Sequence, residues 1–182
     1  GNTVIDALQT TVKKAYRFED EEFNKVFASG HRLILMTTHR RENLGEPMRH
    51  VYRALKSVLE THEDVEAIFP VHKNPKVREI VKQELGHLDR VHLIEPMEYE
   101  PFANLMAKVD IVLTDSGGIQ EEAPALGKPV LVLRDTTERP EAVEAGTVKL
   151  VGTAYDDVLR ETNLLLDDAE HYRSMAEAAN PY

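Results

Sequence analysis

Val109-Asp110-Ile111-Val112-Leu113-Thr114 runs without a break into Asp115-Ser116-Gly117-Gly118-Ile119-Gln120-Glu121-Glu122-Ala123-Pro124. The first part is apolar and rich in branched residues, as a strand buried on both faces must be. The second part is a small polar and glycine turn leading into helix-forming residues, closed by Gly127 and Pro129. Strand, glycine turn and helix in that order make one βα step of a parallel sheet. The step leaves bare backbone N–H groups and the positive end of a helix at the carboxyl edge of the sheet, where an anion is favoured. Glu122 lies four residues beyond Gly118, on the same helical face. A carboxylate aimed at a phosphate is repelled, so Glu122 reads instead as an acceptor for sugar hydroxyls.

The same alternation extends in both directions. Upstream, Arg32–Thr37, Val65–Pro70 and Val91–Ile94 read as strands. The helices between them carry a stripe at Val51, Tyr52, Leu55, Val58 and Leu59, a run from Pro75 to Leu85 ended by Gly86, and a run from Pro101 to Lys108. Downstream come strands at Val130–Leu133 and Thr147–Val151, with a helix between them that Pro140 begins and Gly146 ends. Two helices, Val158–Leu166 and Ala169–Ala178, close the chain. Ahead of the first strand, Ile5, Leu8, Val12, Ala15 and Tyr16 fall on one helical face, and a second helix surrounds Phe23 and Phe27. About six strands alternating with helices predict a single α/β domain: a three-layer, Rossmann-like arrangement around a mostly parallel sheet.

Composition narrows the function. The 182 residues suit one domain, and 42% hydrophobic with 30% charged content is ordinary for a water-soluble globular chain. Thirty-two acidic against 22 basic residues give a net charge of -10, the wrong sign for a broad nucleic-acid footprint. There is no Cys, which removes thiolate catalysis, disulfides and Cys-based zinc sites. No apolar run approaches the ~20 residues of a membrane span. The start carries no basic, signal-like segment, and it opens on Gly1 rather than Met, as a fragment or a processed product would.

Ligands of open parallel sheets bind beyond the carboxyl ends of the strands. In order, those segments are Thr38-His39-Arg40-Arg41-Glu42-Asn43-Leu44-Gly45, Val71-His72-Lys73-Asn74-Pro75, Glu95-Pro96-Met97-Glu98-Tyr99-Glu100-Pro101-Phe102, the Ser116-Gly117-Gly118 turn, and Arg134-Asp135-Thr136-Thr137-Glu138-Arg139-Pro140-Glu141. An edge with so many cations, carboxylates and a glycine turn suits an anionic, hydroxylated ligand such as a nucleotide or nucleotide-sugar. Each piece also has a plain structural reading. Ser116 could cap a helix, Glu121 and Glu122 could complement a helix dipole, Phe102 could be core, and the Arg134–Glu141 charges could be surface pairs. The histidines other than His39 and His72 show no metal-ligand spacing.

Taken together, the Thr38–Asn43, Asp115–Pro124 and Arg134–Glu141 segments closely resemble the non-hydrolysing UDP-N-acetylglucosamine 2-epimerases. The similarity runs over essentially the whole chain, to Asn180-Pro181-Tyr182, and covers the second half of that family's length. The resemblance implies a glycosyltransferase-B arrangement of two domains, of which residues 1–182 would be the C-terminal, UDP-binding one, with the N-terminal domain absent. It implies that Ser116, Gly117 and Gly118 hold the diphosphate, Glu122 the ribose, and Phe102 the uracil. His39 would contact the phosphates and serve turnover. Arg40, Glu42 and His72 would line the place where some bacterial members bind a second, regulatory UDP-N-acetylglucosamine. The implied reaction interconverts UDP-GlcNAc and UDP-ManNAc through elimination and re-addition of UDP, without a metal or a nicotinamide. The family also implies a cytoplasmic homodimer serving cell-envelope polysaccharide synthesis. Its carboxylates for C2 proton transfer lie in the N-terminal domain, so this chain alone is expected to bind UDP weakly and not to epimerise. The nucleotide half of a glycosyltransferase, a non-catalytic nucleotide-sugar module and a hydrolysing relative are the other readings.

Overall fold

In the computed structural model, which describes residues 3–137 and 140–178, six strands form one sheet in the order β3-β2-β1-β4-β5-β6, every neighbouring pair parallel. The strands are β1 (Arg32–Thr37), β2 (Val65–Pro70), β3 (Val91–Ile94), β4 (Ile111–Thr114), β5 (Val130–Val132) and β6 (Val148–Leu150). The central four are buried along nearly their whole length, which is why they read as unbroken apolar runs.

The helices are α1 (Thr3–Thr11), α2 (Glu21–Ala28), α3 (Glu46–Thr61), α4 (Pro75–Leu85), α5 (Tyr99–Lys108), α6 (Ile119–Ala125), α7 (Pro140–Glu144), α8 (Tyr155–Asp167) and α9 (Ala169–Glu177). They cover the sheet on two faces, each with its own core. One core joins Met48, Tyr52 and Leu55 of α3 and Val81 of α4 with Val158 of α8 and Met175 of α9 against Ile34, Met36 and Phe69. The other joins Leu8, Phe18, Phe23, Leu105 and Met106 with Ile119 and Ala123 of α6 against Leu33, Leu35 and Val112. Three layers around a parallel sheet are what the alternation predicted.

The structure corrects several boundaries. Val109 and Asp110 stand outside β4, because the Asp110 carboxylate accepts the N–H of Leu33 at 2.8 Å and a side chain takes the place of a ladder bond. The first helix stops at Thr11, so Val12, Ala15 and Tyr16 do not continue its face. Asn104 of α5 causes the stop: its Nδ2 donates to Thr11 O at 3.3 Å and its Oδ1 accepts from Lys13 N at 2.8 Å. A buried amide reaching from another helix offers the chain partners that a continued helix would forgo. Glu138 and Arg139, read as part of the segment after β5, lie outside the described residues, as do Asn180, Pro181 and Tyr182.

Candidate functional site

The order 3-2-1-4-5-6 has one point where the connections diverge. From β1 the chain leaves through α3 on one face towards β2; from β4 it leaves through α6 on the other face towards β5. A crevice opens between the carboxyl ends of such strands, and ligands of doubly wound sheets bind there. The residues at this point are His39 and Arg40 after β1, and Asp115 to Gly118 after β4.

Short bonds hold the two strand ends together. Thr37 and Thr114 share a hydroxyl hydrogen bond of 2.6 Å, and Thr114 Oγ1 accepts the N–H of Ser116 at 3.0 Å. Asp115 is buried and turns back to the end of β1. Its oxygens accept the N–H of His39 at 3.1 Å and that of Arg40 at 3.1 Å, and Oδ1 lies 3.1 Å from His39 Nδ1. That hydrogen bond raises the His39 pKa above the ordinary value, against the opposing effects of burial and of Arg40. Behind them Thr38 bonds the buried Tyr52 hydroxyl at 2.7 Å.

The glycine turn is open to a ligand. Ser116 and Gly117 are half-buried and Gly118 is exposed, and Gly118 rather than Ser116 occupies the cap position of α6. Among the described residues, the N–H groups of Gly117, Gly118 and Ile119 have no protein acceptor. Gln120 fixes the turn from below. Its amide is buried, accepts from Thr137 Oγ1 at 2.5 Å, and donates to Ser116 O at 3.4 Å, tying the segment after β5 to the turn.

Glu122 is the most telling side chain. It is half-buried, and among the described residues it makes neither an ion pair nor a side-chain hydrogen bond. Burial, then the neighbouring Glu121, push its pKa up. A carboxylate held out of water without a partner is costly unless a ligand supplies donors. Tyr99, at the start of α5, has its phenol pKa raised by burial and then by the charge of Glu122. Tyr99 is 47% exposed and Phe102 is partly buried against the second core, so Tyr99 is the more open aromatic at this corner.

The other predicted residues are less tightly joined to this centre. Arg40 pairs with Glu42 through Nε at 3.0 Å and Nη2 at 2.8 Å, which brings the exposed Glu42 carboxyl down to about 2. His72 sits exposed after β2, its Nδ1 accepting the N–H of Asn74 at 3.1 Å, with no contact to His39 or Arg40 among the described residues. Sequence reasoning assigned no role to Asp115, Tyr99, Gln120 or Thr137. The only signal was their position in strand-end segments. Among the described residues no group of three His, Asp or Glu could hold a metal ion, and no helix is long and apolar enough to cross a membrane.

The family profile described as UDP-N-acetylglucosamine 2-epimerase matches residues 1–182. The chain belongs to that family. It is 53% identical over its full length to the UDP-N-acetylglucosamine 2-epimerase of Bacillus subtilis, of which it covers 47%. A solved S. aureus MnaA–UDP co-structure superposes with a TM-score of 0.94 at 47% identity, over all of this chain and 49% of that one. The chain thus spans about half the length of the curated epimerases it matches. A C-terminal domain of a group 1 glycosyl transferase from Francisella tularensis shares the fold, with a TM-score of 0.71 at 17% identity, over 94% of this chain and 92% of that domain. That likeness is one of fold.

Proposed function

We propose that this chain is the C-terminal, UDP-binding domain of a non-hydrolysing UDP-N-acetylglucosamine 2-epimerase. The observation that carries the reading is Glu122, a half-buried carboxylate without a protein partner among the described residues, one helical turn from a glycine turn whose N–H groups have no acceptor among those residues. Ser116, Gly117 and Gly118 hold the diphosphate and Glu122 accepts the ribose hydroxyls. Phe102, with Tyr99 beside it, borders the uracil. His39 meets the phosphates. Arg40, Glu42 and His72 border a second nucleotide-sugar site.

The chemistry asks of this half what it can supply. Breaking the C1–O bond leaves its electron pair on the β-phosphate of UDP, and preorganised N–H groups and a cation oppose that charge where it develops. Removal of the C2 proton needs a positioned base, and that base belongs to the N-terminal half of the whole enzyme. The whole enzyme works as a cytoplasmic homodimer. On this division of labour, the 182-residue chain binds UDP and leaves the C2 proton of UDP-N-acetylglucosamine in place.

Proton NMR in deuterated water tests the division. The isolated chain should give no exchange at C2 over hours, while the full-length enzyme exchanges C2 and accumulates UDP-ManNAc. Turnover by the isolated chain would overturn the split of roles. Transfer of the sugar to an acceptor by the full-length enzyme, without epimerisation, would favour the glycosyltransferase reading.

A further inference from the structure

Asp115 is placed as more than a brace for a loop. Its side chain is fully buried, and among the described residues its one charged partner is the imidazole of His39, itself half-exposed. A brace for the β1–α3 connection needs only an acceptor for the N–H groups of His39 and Arg40, which a neutral amide oxygen could provide. The contact to His39 Nδ1 asks for something else. A buried carboxylate accepts only, so Nδ1 must carry a hydrogen, and in the neutral ring the lone pair then lies on Nε2. With the ring protonated, Nε2–H becomes the donor, and the charge is balanced from behind by Asp115.

The other groups around His39 leave this arrangement in control. Arg40, the next residue, opposes protonation, and its guanidinium is paired with Glu42. On the α3 side Tyr52, bonded to Thr38, is kept neutral by burial. On the β4 side Asp115 itself faces the ring.

We propose that Asp115 is a positioning residue for His39: its carboxylate fixes the imidazole with Nδ1–H turned inward and presents Nε2–H, as part of a cation, to the diphosphate of the bound nucleotide. This rests on the UDP reading above. The role is electrostatic; the proton stays on Nε2 as a hydrogen bond to a phosphate oxygen while negative charge grows there, so no further reactant is needed. A lone surface histidine is half-charged near pH 6.5, whereas the hydrogen bond to Asp115 moves the His39 pKa above that ordinary value.

The test follows the His39 ring nitrogens by NMR across pH 5.5–9, with and without UDP, in the unaltered chain, Asp115→Asn and His39→Gln. His39→Gln assigns the resonance. The expected result is a neutral form protonated at Nδ1, a pKa above the ordinary value that rises further with UDP, and UDP affinity falling as pH passes that pKa. His39→Gln removes the fall of UDP affinity above pH 7, where the terminal phosphate of UDP, with a second pKa of about 6, is already ionised. Asp115→Asn lowers the His39 pKa towards the ordinary histidine value and weakens UDP binding about tenfold at pH 7.5. Measurements on the unaltered chain decide the matter even if Asp115→Asn fails to fold. A neutral form protonated at Nε2, or UDP that binds without moving the His39 titration, would overturn the proposal. No UDP binding at any pH would instead overturn the UDP reading, and the inward Nδ1–H would still be decided by its own signal.

Discussion

Glu66 of β2 is gripped at both oxygens by imidazoles, His92 Nε2 at 2.7 Å on Oε1 and His31 Nδ1 at 2.9 Å on Oε2. The glutamate's side chain is 11% exposed, and the pair joins the edge strand β3 and the α2–β1 connection to the interior of the sheet. Burial alone would raise the Glu66 pKa, but the hydrogen bonds from His92 and His31 outweigh it and the net direction is down. A carboxyl lowered on folding contributes stability that is present above the unfolded pKa and lost as pH falls through the folded one. Glu66→Ala should therefore cost about 1–3 kcal/mol at pH 7 and much less near pH 3. It should speed amide exchange in Val91–Ile94 while leaving UDP affinity unchanged. Urea unfolding at the two pH values and hydrogen exchange check this; an equal loss at both would remove the charge from the explanation.

Glu122 has the opposite sign. Its pKa is raised in the folded chain, so ionisation opposes folding above the unfolded carboxylate pKa and costs nothing once both states are protonated. Glu122→Gln should accordingly raise the melting temperature by a few degrees at pH 7.5 and have no such effect at pH 4, while weakening UDP. Gain of stability with loss of binding is the signature of a site residue held at a cost to the fold. A variant that melts lower at pH 7.5 would show that Glu122 has a structural partner.

Gln120 and Thr137 tie the glycine turn to the segment after β5 through a bond of 2.5 Å. Thr137→Val keeps the shape and removes the donor, leaving a buried amide oxygen unsatisfied, at a cost of about 1–3 kcal/mol. UDP affinity should fall with it because the turn loses its support, whereas Thr137→Ser should restore both. Thermal melts and UDP titrations on the two variants measure it; full affinity in Thr137→Val would uncouple the turn from that segment.

Arg40 and Glu42 bond each other two residues apart, on the surface. Because the pair is exposed, Glu42→Gln should change stability little. It removes a negative charge near the crevice, so UDP should bind about two- to fivefold more tightly in low salt, with the gain fading near 0.5 M salt as screening grows. Weaker UDP binding in low salt would instead make Glu42 a direct ligand contact.

Much of this was legible in the sequence. Parallel strands buried on both faces announce themselves as apolar runs, so β1, β2 and β3 fall where Arg32–Thr37, Val65–Pro70 and Val91–Ile94 were read. Gly86 and Gly127 marked helix ends, and Ser116 to Glu122 marked the turn. What failed depended on distant partners. The end of α1 is set by Asn104, 93 residues away, and no local periodicity carries that. Asp115 looked like the first residue of a turn because its partner His39 lies 76 residues earlier. The strand order 3-2-1-4-5-6, which sets β1 and β4 side by side and makes their ends one crevice, also needed the tertiary structure.

Calorimetric titration of UDP into the isolated 182-residue chain, its Ser116→Ala and its Glu122→Ala variants tests the central claim most directly. The expected result is one saturable site in the unaltered chain and affinities about tenfold or more lower in both variants, with each variant folded by circular dichroism. Unchanged affinity in both variants, or an unaltered chain that takes up no UDP, would contradict the assignment of this turn and carboxylate as the nucleotide site.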